Sequence, residues 1–303
     1  MTRRVVISGA SGLIGTALVG ALRASGAEVT TLVRRPARAP GEVTWAPGER
    51  PLDPSVLADA DAVVALGGAS VGRMPWTSSY RAELTASRLG PTLAIADAIR
   101  ELGEGAPAFL SASAVGYYGS VPGATLTETS PAGDTFLARL CVEWERAAQT
   151  AGPHSRVVLL RTAPVIHRDG VLKPMIRLTG LGLGGPIGRG TQVWPWISLG
   201  DEVRAIQHLI ASEIEGPVNL TGPTPATANE QGRALARAMR RPFWFPAPEW
   251  GLRLALGRAA TESLLTADAD VRPAVLERSG FVFHDETVEG AVEQAISEPR
   301  SRA

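Results

Sequence analysis

Near its start the chain reads Arg3-Arg4-Val5-Val6-Ile7-Ser8-Gly9-Ala10-Ser11-Gly12-Leu13-Ile14-Gly15, and this stretch indicates the fold class. A short apolar strand leads into three glycines spaced three residues apart and then into an amphipathic helix. Gly9 permits a tight turn, Gly12 lets the main chain approach a diphosphate, and Gly15 lets helix and strand pack closely. The helix amides and dipole then face the phosphates. The stretch predicts a dinucleotide site contacted by Gly9, Ser11, Gly12, Leu13, Ile14 and Gly15.

Strand-like and helix-like segments alternate through the first half of the chain, which predicts an α/β fold with a doubly wound parallel sheet. We expect strands at residues 28–33, 44–45, 62–66, 108–111, 156–161 and 217–220, and helices at residues 77–101, 136–149, 173–181, 201–212 and 227–239, with further helices near residues 252, 273 and 287. Gly90-Pro91 predicts a break in the first long helix, because proline removes a backbone donor. Asp201 is expected to cap its helix.

The predicted organisation is a nucleotide-binding domain over residues 1–165, to which residues 191–222 return. Residues 166–190 and 223–298 then form a smaller C-terminal domain on the substrate side.

Composition narrows the class of partner and compartment. Among 303 residues, 30 basic and 30 acidic side chains cancel, so the summed field favours neither nucleic acid nor an anionic membrane, although local patches stay open. The single cysteine, Cys141, forms no internal disulfide and suits a reducing compartment. We expect a cytoplasmic protein without a signal peptide or membrane span, and without a metal site, since its histidines stand far apart.

The end of the second predicted strand indicates which dinucleotide binds. NAD-selective folds carry an acidic side chain there, whereas this chain has Arg34 and Arg35. A guanidinium suits a 2′-phosphate, so we predict NADP, with Arg34 as the main contact and Arg35 as a second. The alternative is that both arginines are merely solvated. The fourth predicted strand ends at Leu66 and is followed by Gly67, Gly68 and Ala69. These residues would either let the cofactor lie against the backbone or form a simple turn.

Taken together and in order, a set of short motifs resembles the extended and atypical short-chain dehydrogenase/reductase superfamily, and within it the NAD-dependent epimerase-like (sugar-nucleotide-epimerase-like) branch. The motifs include residues 9–15, 66–69, 87–88, 113–119, 144–145, 160–162, 182–188, 196–201 and 216–219. The resemblance implies a Rossmann fold, a nicotinamide cofactor and a small-molecule substrate. It also implies that Ser113 orients a substrate carbonyl, and that Arg161 begins a segment beside the nicotinamide unless it pairs with a buried acid.

The chain departs from this superfamily at its acid–base pair. The usual tyrosine is followed four residues later by lysine, yet Lys173 is the only lysine. Thr135 and Arg139, or Phe136 and Leu140, stand where the pair belongs, and the pKa of arginine is too high for proton exchange. Two tyrosines close to Ser113 in sequence are the replacement candidates, Tyr117 and Tyr118, although packing or substrate contact is the alternative for both.

Three hypotheses follow for the activity. The first is an NADP-dependent enzyme that transfers hydride to or from a small polar, sugar-nucleotide-like molecule. The second is an NADP-binding sensor or scaffold without turnover, which the missing Tyr-Lys pair favours. The third is an epimerase that keeps its cofactor between turnovers. Either a monomer or a homodimer agrees with the sequence.

Overall fold

The computed structural model describes residues 2–297, and a seven-stranded parallel sheet forms its centre. The strands are β1 (Arg4–Ser8), β2 (Glu28–Val33), β3 (Glu42–Thr44), β4 (Ala62–Ala65), β5 (Ala108–Ala114), β6 (Thr125–Leu126), β7 (Val157–Thr162), β8 (Val165–Ile166), β9 (Ile197–Ser198), β10 (Gly216–Leu220) and β11 (Asp270–Val271). The order across the main sheet is β10-β7-β5-β4-β1-β2-β3. The short strands pair separately, β11 with β6 and β8 with β9.

The helices are α1 (Leu13–Ala24), α2 (Ser78–Glu101), α3 (Phe136–Gln149), α4 (Leu172–Gly180), α5 (Leu199–Ile210), α6 (Ala228–Ala238), α7 (Glu249–Leu256), α8 (Arg258–Ala260), α9 (Ala274–Arg278) and α10 (Val288–Ser297). Shorter helical turns lie at Pro54–Val56, Gly103–Gly105, Val115–Tyr118 and Thr261–Leu265. No helix within residues 2–297 is long and apolar enough to cross a lipid bilayer.

The sheet is buried on both faces, as a parallel sheet requires. Val5 and Ile7 of β1 point into a cluster that contains residues of α1, α5 and α9. Val6 points to the other face, where α2 and α3 supply Ile95, Ile99 and Ala148. This doubly wound arrangement confirms the predicted fold class. On the C-terminal side, α4, α6 and α10 share a third cluster.

The strand order creates a crevice at one defined place. On one side of β1 the chain continues outward to β2 and β3, and on the other side to β4, β5 and β7. The loops that follow β1 and β4 therefore leave the sheet in opposite directions. In open α/β sheets such a reversal is where ligands bind, outside the carboxyl ends of the strands.

Two local predictions are wrong. Helix α2 continues through Pro91 without a break. The preceding residue is Gly90, which has no Cβ to clash with the proline ring, and Thr92 is tied to α3 because its hydroxyl accepts a hydrogen bond from Trp144 Nε1 at 2.8 Å. Asp201 does not cap α5; Ser198 does, through its hydroxyl and the Asp201 amide at 3.2 Å.

The Asp201 carboxylate is instead buried, 2% exposed, and accepts hydrogen bonds from the amides of His284 and Asp285. It also pairs with Arg204 at 2.6 Å. A single aspartate thereby fastens the segment before α10 to α5. At the start of α6, Thr227 and Glu230 do form the predicted capping box.

The glycines of α1 give a direct stability test. A Cβ on Gly15 would overlap the carbonyl oxygen of Gly9, whereas a Cβ on Gly20 in the same helix meets nothing within 4 Å. Gly15→Ala should lower the free energy of unfolding by about 2 kcal/mol, as overpacking does. Gly20→Ala should raise it by about 0.5–1 kcal/mol. Urea unfolding of both variants measures this; equal effects would contradict the close packing of Gly15.

Candidate active site

The loops after β1 and β4 touch each other at the crevice. Gly9 has a φ of +78°, which favours glycine, and a Cβ there would lie 2.7 Å from the carbonyl carbon of Leu66 and 2.8 Å from the Gly67 amide nitrogen. The Gly12 amide donates to the Gly9 carbonyl at 3.0 Å, which closes the turn before α1. The predicted contact residues of both loops are therefore brought together at one edge of the sheet.

The loop after β4 is held by two residues of α2. The Ala69 amide donates to the Ser87 hydroxyl at 2.9 Å, and the Arg88 guanidinium donates to the Ala69 carbonyl at 3.1 Å. Arg88 also lies over the ring of Trp144, with its central carbon 5.2 Å from the ring centroid. Burial lowers the pKa of Arg88. The sequence analysis gave Ser87 and Arg88 no role, although both belong to the motifs that carry the resemblance.

The two arginines after β2 have different surroundings. Arg35 forms a bidentate pair with both carboxylate oxygens of Glu42, at 2.7 and 2.6 Å. This hydrogen-bonded pairing lowers the pKa of Glu42 to about 2. Arg34 is exposed, and the part of the chain that the structure describes offers it no ion pair. Of the two predicted contacts, Arg34 is the one whose guanidinium is free.

Two of the predicted catalytic residues, Ser113 and Tyr118, belong to a buried polar network. Arg161 is 3% exposed and binds Glu145 through two hydrogen bonds of 2.8 and 2.9 Å. Ser113 donates to the same carboxylate at 2.7 Å. Two alternatives were predicted for Arg161, and the structure shows the second, a pairing with a buried acid. Burial opposes the charge of Arg161, but the hydrogen bonds and charge of Glu145 raise its pKa above the ordinary value.

Tyr118 belongs to this network and Tyr117 lies at its border. The Tyr118 hydroxyl donates to Asn219 Oδ1 at 2.7 Å and accepts from Arg161 at 2.9 Å, and the side chain is fully buried. Burial raises the pKa of Tyr118, partly offset by Arg161. The Tyr117 ring, only partly buried, lies against the Arg161 guanidinium, whose central carbon is 3.5 Å from the ring centroid. Of the three predicted catalytic side chains, Tyr117 is the one with solvent access beyond the buried network.

Glu128 extends the network to the C-terminal side of the molecule, and sequence analysis missed it. Its carboxylate accepts hydrogen bonds from the amides of Asn219 and Val275, each at 3.1 Å. The side-chain amide of Asn219 donates to the Arg272 carbonyl at 2.9 Å. No local sequence signal marks Glu128, because its partners are 91 and 147 residues away.

Cys141 is a buried free thiol on α3. Burial, with the nearby charge of Glu145, raises the pKa of the thiol to about 12. A thiol in that state is not a nucleophile at neutral pH.

The site defined so far is that of a dinucleotide-binding α/β protein of the short-chain dehydrogenase type, which lacks the usual Tyr-Lys pair and contains a buried Glu-Arg-Tyr network. The family model described as the NAD dependent epimerase/dehydratase family matches residues 5–221, so the chain belongs to that family. A second model, a domain of unknown function called DUF1731, matches residues 247–295. The predicted family resemblance is thereby confirmed.

Individual relatives agree with this assignment over nearly the whole chain. An epimerase family protein of Mycobacterium tuberculosis is 42% identical over 300 residues, covering 97% of this chain and 98% of its own length. The crystal structure of human epimerase family protein SDR39U1 (isoform 2) with NADPH superposes with a TM-score of 0.88 at 31% identity, covering 98% of this chain and all of the human one. A nucleoside-diphosphate sugar epimerase of Corynebacterium glutamicum superposes with a TM-score of 0.79 at 28% identity, over 98% of this chain and 58% of its own.

The two neighbouring tyrosines give a matched test of the network. Tyr118→Phe leaves Asn219 and Arg161 short of a partner, so it should lower the free energy of unfolding by about 1–3 kcal/mol. Tyr117→Phe removes a hydroxyl outside the network and should change it by less than about 0.5 kcal/mol. Denaturant unfolding of both variants checks this, and the reverse order would contradict the assignment of Tyr118 to the buried network.

Glu202 is another buried acid, on α5 at the carboxyl end of β7. It is 0% exposed; one carboxyl oxygen accepts from the Thr162 hydroxyl at 2.8 Å, and the other has no hydrogen-bond partner among residues 2–297. Burial raises the pKa of Glu202 to about 8, from an ordinary value of 4.5. The folded protein therefore keeps this carboxyl protonated at pH values where the unfolded chain has lost the proton.

This acid should make stability depend on pH. Between about pH 5 and 8 the unfolded chain binds fewer protons than the folded protein at this site, so the free energy of unfolding falls as the pH rises. Glu202→Gln should flatten that slope, and the exposed Glu49→Gln should leave it unchanged. Urea unfolding across this pH range measures both. A wild-type slope that survives in Glu202→Gln would show that another group causes it.

Proposed function

We propose that this chain binds NADP(H) at the crevice between β1 and β4 and transfers hydride between the nicotinamide and a small polar molecule. The observation that carries the proposal is the contact of the two loops, because a Cβ on Gly9 or Gly15 would fill the space that the turn needs. That turn leaves the first amides of α1 at the crevice, where a diphosphate binds at a helix N-terminus. The residues present therefore fit a dinucleotide.

Arg34 supports the choice of NADP over NAD. It follows β2, where the adenosine ribose lies in folds of this kind, and its guanidinium has no acidic partner in the described part of the chain. Arg35 is held by Glu42 and has fewer free donors. The human relative SDR39U1 was crystallised with NADPH, which agrees with this selectivity.

The proposed reaction is supported by the names of the relatives and by the partly exposed side chain of Tyr117. The bound cofactor would supply or accept the hydride. We propose that the Tyr117 hydroxyl hydrogen-bonds the substrate oxygen while Arg161, fixed by Glu145, holds the Tyr117 ring in place. The Ser113 hydroxyl donates its hydrogen bond to Glu145, so toward a substrate it can only accept one. That polarity suits a substrate hydroxyl better than a carbonyl. Sugar-nucleotide-like alcohols, such as the name of the Corynebacterium glutamicum neighbour suggests, fit this requirement.

A second function, an NADP-binding sensor or scaffold without turnover, is favoured by one observation. The hydroxyls of Ser113 and Tyr118 already have buried partners, and the chain lacks the Tyr-Lys pair. The two functions share the cofactor site and differ only in whether the crevice carries out chemistry.

The cofactor preference is tested with the paired arginines. Arg34→Ala should weaken NADPH binding by about tenfold or more, the effect of losing a charge-assisted contact to phosphate, and should leave NADH binding unchanged. Arg35→Ala should weaken it less, because that guanidinium is shared with Glu42. Nicotinamide fluorescence titration of the wild type and both variants measures the affinities for NADPH and NADH. Equal NADPH affinity in wild type and Arg34→Ala would refute the assignment.

Turnover is tested with NADP+ and NADPH against a panel of sugar nucleotides, alcohols and carbonyl compounds, followed by nicotinamide absorbance. An enzyme should show turnover that falls about 100-fold in Tyr117→Phe with cofactor affinity retained. Tight NADPH binding with no turnover of any compound would favour the sensor or scaffold. Nucleotide released from the purified, denatured protein would indicate the cofactor-retaining epimerase.

A further inference from the structure

The tryptophans of this chain fall into two groups. The chain has seven tryptophans, and five of them are at least 92% buried: Trp45, Trp76, Trp144, Trp194 and Trp196. The other two, Trp244 and Trp250, are 70% and 72% exposed and lie only six residues apart. Exposed indoles are unusual where a fold buries the rest of its tryptophans, and contiguous exposed apolar surface marks interaction sites.

Three more exposed apolar side chains accompany these tryptophans, next to them in the chain, on the same helix or beside a residue hydrogen-bonded to them, and we call the five together the aromatic patch. It consists of Leu181, Trp244, Phe245, Trp250 and Leu254, and each of these side chains is between 58% and 84% exposed. Trp250 and Leu254 are four residues apart on α7 and share one helix face. With roughly 150–250 Å² of surface on each aromatic residue, the three rings alone expose on the order of 400 Å².

The backbone under the aromatic patch is fixed. The amides of Trp244 and Phe245 both donate to the Gly184 carbonyl, at 2.9 and 3.0 Å, and the Trp244 indole donates to the Gly182 carbonyl at 3.2 Å. Gly185 packs so closely on Phe245 that a Cβ would overlap its carbonyl group. The aromatic rings are therefore presented to solvent by an ordered scaffold.

The aromatic patch lies beside the crevice. Helix α7 contacts α8 and the turn at Thr261–Leu265. Ala260, at the end of α8, is buried in a cluster with Tyr80 and Leu84 of α2, and Ala69 of the loop after β4 packs against the same cluster. One layer of structure thus separates α7 from a predicted cofactor loop.

Unpaired positive charge accompanies the aromatic patch. Arg240 and Arg241 immediately precede its aromatic segment, and Arg177 lies on α4 four residues before Leu181. All three are exposed, and residues 2–297 supply none of them with an ion pair. Two other arginines of this region are neutralised, since Arg253 and Arg258 pair with Glu249 and Glu262. This face is positive although the chain as a whole has a net charge of zero.

The unpaired positive charge indicates which kind of partner the aromatic patch binds. A second copy of the chain docked through the same face would bring arginine against arginine, which costs free energy. We propose that the aromatic patch binds the surface of an anionic lipid bilayer. Tryptophan rings prefer the headgroup level, and arginines beside them bind anionic headgroups while apolar side chains enter the acyl boundary. Bound in this way, the protein would hold its crevice next to the bilayer. The proposal is independent of hydride transfer.

The experiment uses vesicles of 1:1 phosphatidylglycerol and phosphatidylcholine, with pure phosphatidylcholine vesicles for comparison. The wild-type protein should float with the anionic vesicles and bind pure phosphatidylcholine at least tenfold more weakly, and added salt should weaken the anionic binding. Trp244→Ser/Trp250→Ser and Arg240→Gln/Arg241→Gln should each lower affinity for the anionic vesicles by about tenfold or more.

Matched controls separate the aromatic patch from general surface effects. Val282→Ser removes another apolar side chain, 70% exposed, outside the patch, and Arg23→Gln/Arg146→Gln removes two other exposed cations; neither should change vesicle affinity. Without any variant, brominated lipid should quench part of the wild-type tryptophan fluorescence. Absence of flotation and quenching would overturn the proposal, as would equal losses in patch and control variants. So would a dimer in sedimentation velocity that Trp250→Ser abolishes, since the patch would then bind a second copy.

Discussion

The close approach of two loops at the point where the sheet reverses direction is the constraint on which the rest of the structure depends. Gly9 can lie against Leu66 and Gly67 only because it has no side chain and can adopt a positive φ. That contact sets the start of α1, and the close packing of Gly15 on the same turn keeps the helix against the sheet. The crevice and the orientation of the first helical amides both follow from this arrangement. A side chain at either glycine would displace the very backbone that a diphosphate has to approach.

A buried polar network connects the loop after β5 with α3 and β7. Glu145 holds Ser113 and Arg161 together, and Arg161 holds the two tyrosines, one by a hydrogen bond and the other by stacking. The carboxylate of Glu145 and the guanidinium of Arg161 bind each other, so the two charges buried in the interior are compensated. Stability and positioning therefore come from the same residues. Among the three predicted catalytic side chains, only Tyr117 is partly exposed, and the proposed reaction therefore relies on it.

Sequence periodicity and turn chemistry predicted most of the architecture because they are local. The glycine spacing, the apolar strands and the capping box at Thr227 depend only on neighbours in the chain. The continuity of α2 through Pro91 was missed because it depends on the neighbouring Gly90 and on a hydrogen bond from α3. The roles of Asp201 and Glu128 were missed because the backbone amides that their carboxylates bind are 83 or more residues away. The net charge likewise gave no sign of the unpaired arginines beside the aromatic patch, because a sum over the whole chain does not show where the charges lie.

Amide hydrogen exchange of the wild-type protein, with and without NADPH, tests the central claim most directly. The account predicts slower exchange in residues 9–15 and in residues 66–69 together, because a dinucleotide in the crevice contacts both loops. Exchange should also slow near Arg34 with NADPH and not with NADH. Unchanged exchange in both loops at saturating NADPH, or protection confined to a different part of the chain, would contradict the claim that this crevice is the cofactor site.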